Sequence, residues 1–353
     1  MQKNFFKTHK SELDATLNNF FSNEFIRISK YDKFNAEIIK QLRDFTMRRG
    51  AKRIRGMLVL LGFLSNPKNK LTKDIFKVAA AYEILHSYLL IHDDIIDQDE
   101  ERRGKPTLHV LFQKFAPPNS SNFEKKKIGE DIAIIIGDLA NIFSQKLLLE
   151  TNYSVNKKVE VQKYINNVLE ATCSGQILDI LSLPNKLPNL KQQQSRYLQK
   201  TAIYTIEAPF LVGLSFGKGI INKRLFRKFA NNVGLAFQLA DDVHNIFGSS
   251  LATRQSDLQA GKVTYLISLA IKKSKYKRLI LNILKKNKKN KQDLLKLRRL
   301  LIESGGYQCA MSIIYDNFNQ AEKILKDFVL PENITNQLHF FLNKLKNKLP
   351  EAN

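Results

Sequence analysis

Long apolar runs are missing from this 353-residue chain. Apolar runs such as IAIIIG at 132–137 fall well short of the roughly 20 residues needed to cross a bilayer, so no transmembrane segment is expected. The opening stretch MQKNFFKTHKSELDATL has no apolar segment of the kind a secretory signal carries. Acids enter at Glu12 and Asp14, which argues against an organelle presequence, and a cytoplasmic location is expected. Cysteine is scarce: Cys173 and Cys309 stand in no metal or redox spacing and read as idle thiols in a reducing compartment. Proline is absent from 1–66 and 210–330, and glycine from 262–304, which permits long helices. No linker rich in Gly, Ser or Pro interrupts the chain and no short-period repeat occurs, so residues 1–353 read as one all-helical domain.

What is present fits that class. Apolar residues make up 43% and charged residues 25%, the balance of a globular protein able to bury a large core. Apolar positions recur at three- and four-residue spacing in VAAAYEILHSYLLIHDD, YINNVLEATCSGQILDIL and FANNVGLAFQLADDVHNIF, and almost nothing reads as strand. Turn signals are confined to 65–70, 115–122, 183–189 and 303–306. The net charge of +24 raises nucleic acid as a partner, but the densest run, KKNKKNK at 285–291, has no interleaved aromatics and reads as helix surface or loop. The lysines of 273–298 are expected on a solvated face, and no nucleic-acid partner is expected. A general positive field serves small anionic substrates as well.

The stretch LLIHDDIIDQDEERRG at 89–104 sets Asp93, Asp94 and Asp97 into a run that otherwise resembles core. In a helix these fall three and four residues apart and are expected to project from one side. A bare buried carboxylate is costly, so either the face is solvated or a cation belongs there. Oxygen-rich clusters suit a hard ion such as Mg²⁺, and this motif alone leaves metal site and solvated turn evenly balanced. The pattern recurs in GLAFQLADDVHNIFG, with Asp241 and Asp242 adjacent and Asn245 where a third acid would fall. Two such helices facing each other across a cavity would hold several ions. Basic residues lie nearby in sequence: Lys52 and Arg55 in RRGAKRIRG, then Arg102 and Arg103 directly after the first acids. Acids with bases point to a polyphosphate held by metal on one side and by Arg and Lys on the other.

Eight motifs follow in order: G-x-K-R-x-R at 50–55, H-x-x-x-x-x-H-D-D-x-x-D at 86–97, R-R-G-x-P-T-x-H at 102–109, G-D at 137–138, G-Q-x-x-D at 175–179, K-T at 200–201, F-Q-x-x-D-D at 237–242 and G-K-x-T at 261–264. Over about residues 40–270 the chain resembles the trans-isoprenyl diphosphate synthases, or polyprenyl synthetases. The resemblance implies a single all-α isoprenoid-synthase bundle with a central cavity between two Asp-bearing helices. It implies Mg²⁺-dependent, head-to-tail condensation of isopentenyl diphosphate with an allylic diphosphate, with three Mg²⁺ per active site, Mn²⁺ as a substitute, and a homodimer.

By the same resemblance Asp93, Asp94, Asp97 and Asp241 ligate metal, with Asp242 and Asn245 acting directly or through water. Arg102, Lys200 and Lys262 contact the allylic diphosphate. Gly50, Lys52, Arg55, His86 and Arg103 hold isopentenyl diphosphate. Thr201 and Gln238 line the carbocation path, and Gln176 and Asp179 support the second metal helix or its water. His92 and His109 read as structural and His244 as incidental. Without the resemblance His86 would read as a core histidine, and Lys52 and Arg55 as surface charge.

Two departures from the family pattern stand out: Asn245 in place of the third aspartate, and Ala51 and Gly56 where Gly and Pro are usual. Tyr88 lies five residues before Asp93, about 7.5 Å along a helix axis, with Leu89 four before. In the family an aromatic at that position without an insertion in the first acid motif goes with a 20-carbon product. Geranylgeranyl diphosphate is therefore expected, with farnesyl or longer products as alternatives. Helical spacing by itself does not place Tyr88 on the face of Asp93. A class I terpene cyclase and a non-catalytic regulatory subunit are the readings from other classes. The first has no use for a second phosphate site, and the second generally lacks one acid cluster.

Overall fold

A computed structural model describes residues 5–185, 187, 189–248, 261–272 and 275–347. Lys273 and the ends of the chain, all within stretches considered above, lie outside the described residues. The described chain is almost wholly helical, with one two-stranded antiparallel ladder, as the periodicity predicts. It divides into two compact units, Met1–Gln162 with Pro209–Gly219, and Lys163–Ala208 with Ile220–Asn353.

In the first unit α1 (Phe5–Ser29), α2 (Lys33–Thr46), α3 (Ile54–Leu64), α4 (Lys73–Ile96) and α6 (Asn122–Leu149) surround a core of Leu13, Leu17, Phe21, Phe76 and the fully buried run Met57–Leu61. Between α4 and α6 stand the strands β1 (Glu101–Arg102) and β2 (Lys105–Pro106) and a one-turn helix, α5 (Leu108–Leu111). Local chemistry sets the starts: Asp32 caps α2, Thr72 caps α4, and Ser121 with Glu124 forms a capping box for α6. α6 is long and apolar enough to cross a membrane by length and composition alone, yet 44% of its most apolar window is buried within the protein. The stop signals at 65–70 and 115–122 fall between these helices, where the sequence places them.

Two glycines let α3 lie against α9 (Ala208–Gly217). A Cβ on Gly62 would come within 1.9 Å of the Phe210 carbonyl oxygen, and one on Gly213 within 1.8 Å of that of Val59. Backbone meets backbone here, so no rotamer change relieves the clash.

The second unit contains α7 (Val155–Ile180) from Lys163 on, α8 (Leu190–Tyr197), a π-helical segment Leu198–Glu207, and α10 (Lys223–Phe247). It continues with α11 (Tyr265–Ile271), α12 (Lys277–Leu284), α13 (Lys291–Glu303), α14 (Gly306–Lys326) and α15 (Glu332–Lys346). α10 packs on the π segment and on α14 around Phe226, Phe229, Leu239, Ile314 and Phe318. The basic run at 285–291 links α12 to α13, which resolves its reading in favour of a loop. The π segment carries the K-T motif and has no counterpart in the sequence reading. π turns are rare and concentrate at functional sites.

Gly213→Ala is expected to cost about 2 kcal/mol or more through overpacking. Urea denaturation checks this, with an unchanged midpoint as the contrary result.

Candidate active site

The first unit assembles a basic cleft around α4. Arg53 caps α3 in the left-handed region (φ 54°) and turns inward. Its Nε donates to Asp14 (2.7 Å) and its Nη1 to the Thr46 carbonyl (2.9 Å), with the Glu83 carboxylate 3.4 Å away. The Gly56 N–H donates to the other oxygen of Glu83 at 2.8 Å. A proline has no N–H, so the departure at Gly56 preserves a bond that the usual residue could not make. With Arg53 spent inside, Lys52 is exposed and Arg55 half-buried, and Gly50 supplies the turn at φ 91°.

Arg55 donates to His86 Nε2 at 3.0 Å. Burial, then the nearby arginines Arg55 and Arg103, hold His86 well below the usual histidine range. It is therefore neutral at pH 7, and because a guanidinium only donates, Nε2 is the accepting nitrogen and the proton sits on Nδ1. The cleft is lined by His86, Arg48, Arg53, Arg102 and Arg103 over Phe45 and Leu90.

The first acid cluster does not project from one side as its spacing implies. Asp93 and Asp97, four apart, are half-exposed, while Asp94 turns inward and is only 1% exposed. Successive residues step about 100° around a helix, so Asp94 points away from the Asp93 face. The Arg102 guanidinium bonds Asp94 Oδ1, with Asp99 3.6 Å from Arg102 Nη2. Burial lifts the Asp94 carboxyl to about 6, against the pull of Arg102. Tyr88 sets its ring edge-on to His92, centroids 4.9 Å apart. His92 packs against α6: its Nε2 lies 3.1 Å from the Ile134 carbonyl, and a Cβ on Gly137 would come within 2.3 Å of that nitrogen. His109 is buried.

The second unit gathers the remaining motifs about Asp179. Gly175, four residues earlier, has no Cβ to strike the Lys200 backbone nitrogen 2.8 Å away, so the π segment comes close to α7. Lys200 Nζ then lies 3.2 Å and Lys262 Nζ 3.3 Å from Asp179 Oδ2, with Arg196 Nη1 2.9 Å from Oδ1. Burial alone would raise this carboxyl, but Lys200, Lys262 and Arg196 outweigh it and bring it to about 2. Thr201 donates its hydroxyl to Gln238 Oε1 at 2.7 Å, and Gln176 is half-buried on α7.

α10 repeats the arrangement of α4. Asp241 and Asn245 are half-exposed one turn apart, His244 is exposed, and Asp242 is buried. The Tyr197 hydroxyl donates to Asp242 and accepts from the Tyr265 N–H at 3.0 Å, while the Arg196 guanidinium stacks on the Tyr197 ring, 4.8 Å from its centroid. Arg196 and Tyr197 escaped the sequence reading. Their only signal is an unusual polar pair just before K-T in a helix that contributes to the core.

Among the described residues no three His, Cys, Asp or Glu side chains already converge on one point. The donor chemistry still fits a hard cation. Half-exposed carboxylates stand at Asp93, Asp97 and Asp241, and Asn245 Oδ1 is a buried acceptor with no hydrogen-bond partner.

The family profile for polyprenyl synthetase matches residues 36–301. A short-chain isoprenyl diphosphate synthase of Methanocaldococcus jannaschii is 31% identical over 251 residues, 69% of this chain and 70% of the relative. A farnesyl diphosphate synthase of Haemophilus influenzae is 29% identical over 77% of this chain and 88% of its own. The crystal structure of a geranylgeranyl pyrophosphate synthase from Corynebacterium glutamicum, complexed with isoprenyl diphosphate and magnesium, superposes with a TM-score of 0.86 at 24% identity over 98% of both chains, a likeness of fold. With the ordered motifs and both aspartate helices in place, the chain belongs to the polyprenyl synthetase family and is a trans-prenyltransferase.

Proposed function

We propose that this prenyltransferase condenses isopentenyl diphosphate with an allylic diphosphate to give geranylgeranyl diphosphate. The observation that carries the reading is the arrangement repeated in α4 and α10. In each helix the first acid and the residue one turn on are half-exposed, while the second acid is buried and held by a donor from another segment, Arg102 for Asp94 and Tyr197 for Asp242.

Asp93, Asp97 and Asp241, with Asn245, would hold Mg²⁺, and Asp94 and Asp242 would keep those helix ends in register. When bound, the cation neutralises negative charge building on the departing diphosphate. Lys200 and Lys262 would meet the same oxygens, oriented by Asp179, and Arg102 would add its outer face from Asp94. The allylic carbon–oxygen bond breaks with both electrons leaving on the diphosphate. The isopentenyl double bond then attacks the allylic cation, and loss of a proton restores an allylic product. Thr201 and Gln238 would present oxygen dipoles to that cation.

Lys52, Arg55, Arg103 and neutral His86 would take isopentenyl diphosphate, with Gly50 giving the backbone room. A terpene cyclase has no use for this basic cleft. The 20-carbon product rests on Tyr88, held half-buried against His92, and on Leu89, which shares the Asp93 face one turn before it.

The homodimer reading has support on α6. Ile135, Ile142 and Leu149 are 67%, 58% and 61% exposed and recur every seven residues, an apolar stripe suited to a second copy of itself.

Three outcomes are expected. Purified protein with Mg²⁺, labelled isopentenyl diphosphate and allylic primers should give a 20-carbon product, lengthened in Tyr88→Ala; a wild-type stop at 15 carbons would overturn the chain-length reading. Ile142→Lys should sediment as a monomer where the wild type sediments as a dimer. Asp179→Asn leaves three cations around a neutral group and should lose about 3 kcal/mol in urea melts near neutral pH. Because the folded carboxyl is depressed, its contribution is complete above the unfolded value of about 4. The gap to the variant should therefore narrow only as pH falls from there towards 2.

A further inference from the structure

The hairpin that carries Arg102 and Arg103 is too small to hold its own shape. β1 and β2 share two residue pairs, Glu101 with Pro106 and Arg102 with Lys105, and a ladder of that length is not stable by itself. The turn between them places Arg103 at φ 55° and Gly104 at φ 75°. Glycine tolerates that region; an arginine is held there only when its surroundings insist.

The insistence comes from Arg48, which follows α2 by two residues and is 8% exposed. Its Nη1 donates to the carbonyls of Arg102 (3.0 Å) and Lys105 (3.4 Å), and its Nη2 to that of Pro106 (2.5 Å). The planar fork thus spans both strands, while the Phe45 ring backs the guanidinium at 4.7 Å. A buried guanidinium beside Arg102 and Arg103 adds repulsion, eased by Asp94, so its placement needs a return. That return is geometric, since both terminal nitrogens are spent on hairpin carbonyls.

We propose that Arg48 is a positioning residue that clamps the Arg102–Lys105 turn in the shape that presents Arg103 to the diphosphate of isopentenyl diphosphate. The inference rests on the reading of Arg103 given above. It assigns to Arg48 a larger effect on isopentenyl diphosphate than on the allylic substrate, because Arg102 on the same hairpin is held separately by Asp94 and the lysines about Asp179 stand on other segments.

Arg48→Lys keeps the charge and loses the fork, and Arg48→Met keeps an apolar stem without the charge. In both variants KM for isopentenyl diphosphate should rise about tenfold, the worth of a lost charged hydrogen bond. The allylic KM and kcat should stay within about threefold. Calorimetric titration of isopentenyl diphosphate alone should show the same weakening, and amide hydrogen exchange across 101–107 should quicken.

Unchanged exchange in both variants overturns the clamp. Quickened exchange with an unchanged isopentenyl KM and affinity overturns its role in binding. Equal losses in both KM values, kcat and melting temperature would make Arg48 a general stabilising residue and likewise overturn the proposal. A wild-type protein that binds no isopentenyl diphosphate defeats the substrate reading instead, and the exchange measurement still decides whether Arg48 holds the turn.

Discussion

A carboxylate taken out of water has to find a donor, and four of them organise this protein: Glu83, Asp94, Asp179 and Asp242. Leaving any of them buried and unpaired would cost several kcal/mol, so the backbone around each is bent to supply a partner. Arg53 adopts a left-handed cap and turns inward beside Glu83. The hairpin after α4 returns Arg102 to Asp94. The π segment swings Lys200 to Asp179, and the end of α8 points the Tyr197 hydroxyl at Asp242. Irregular backbone thus accompanies these charges at the Arg53 cap, the 101–106 hairpin and the π segment.

The same demand sorts the two acid motifs. One carboxylate in each is consumed inside, and the residues at the preceding position and one turn on from it are left half-exposed. Asn245 keeps a side-chain oxygen at this position, itself buried, while removing one negative charge, so the second motif repels itself less than the first. Gly56 shows the reverse kind of substitution. By keeping an N–H where a proline is usual, it adds a second bond to Glu83 and fixes the start of α3 from the inside.

Much of this was legible in the chain. Helix positions followed from three- and four-residue apolar spacing, and the breaks at 65–70, 115–122, 183–189 and 303–306 coincide with the gaps between helices. The family was legible too, because its motifs follow one another in order along the chain. Less legible were Arg48, Arg196 and Tyr197. None has a spacing that announces it, since each acts on a backbone carbonyl or a carboxylate distant in sequence. The inward turn of Asp94 was misread because three and four residues count equally as one helix face, whereas the true step separates neighbours by about 100°.

The sequence by itself determined the helical class and the family, because these depend on periodicity and on the order of motifs along the chain. Only the tertiary structure decided which charges are buried against one another and which stay partly exposed. That division depends on burial and on donors brought together from far apart, such as Arg48 with the 102–106 hairpin and Asp179 with three cations from two other segments. Linear spacing carries no record of either.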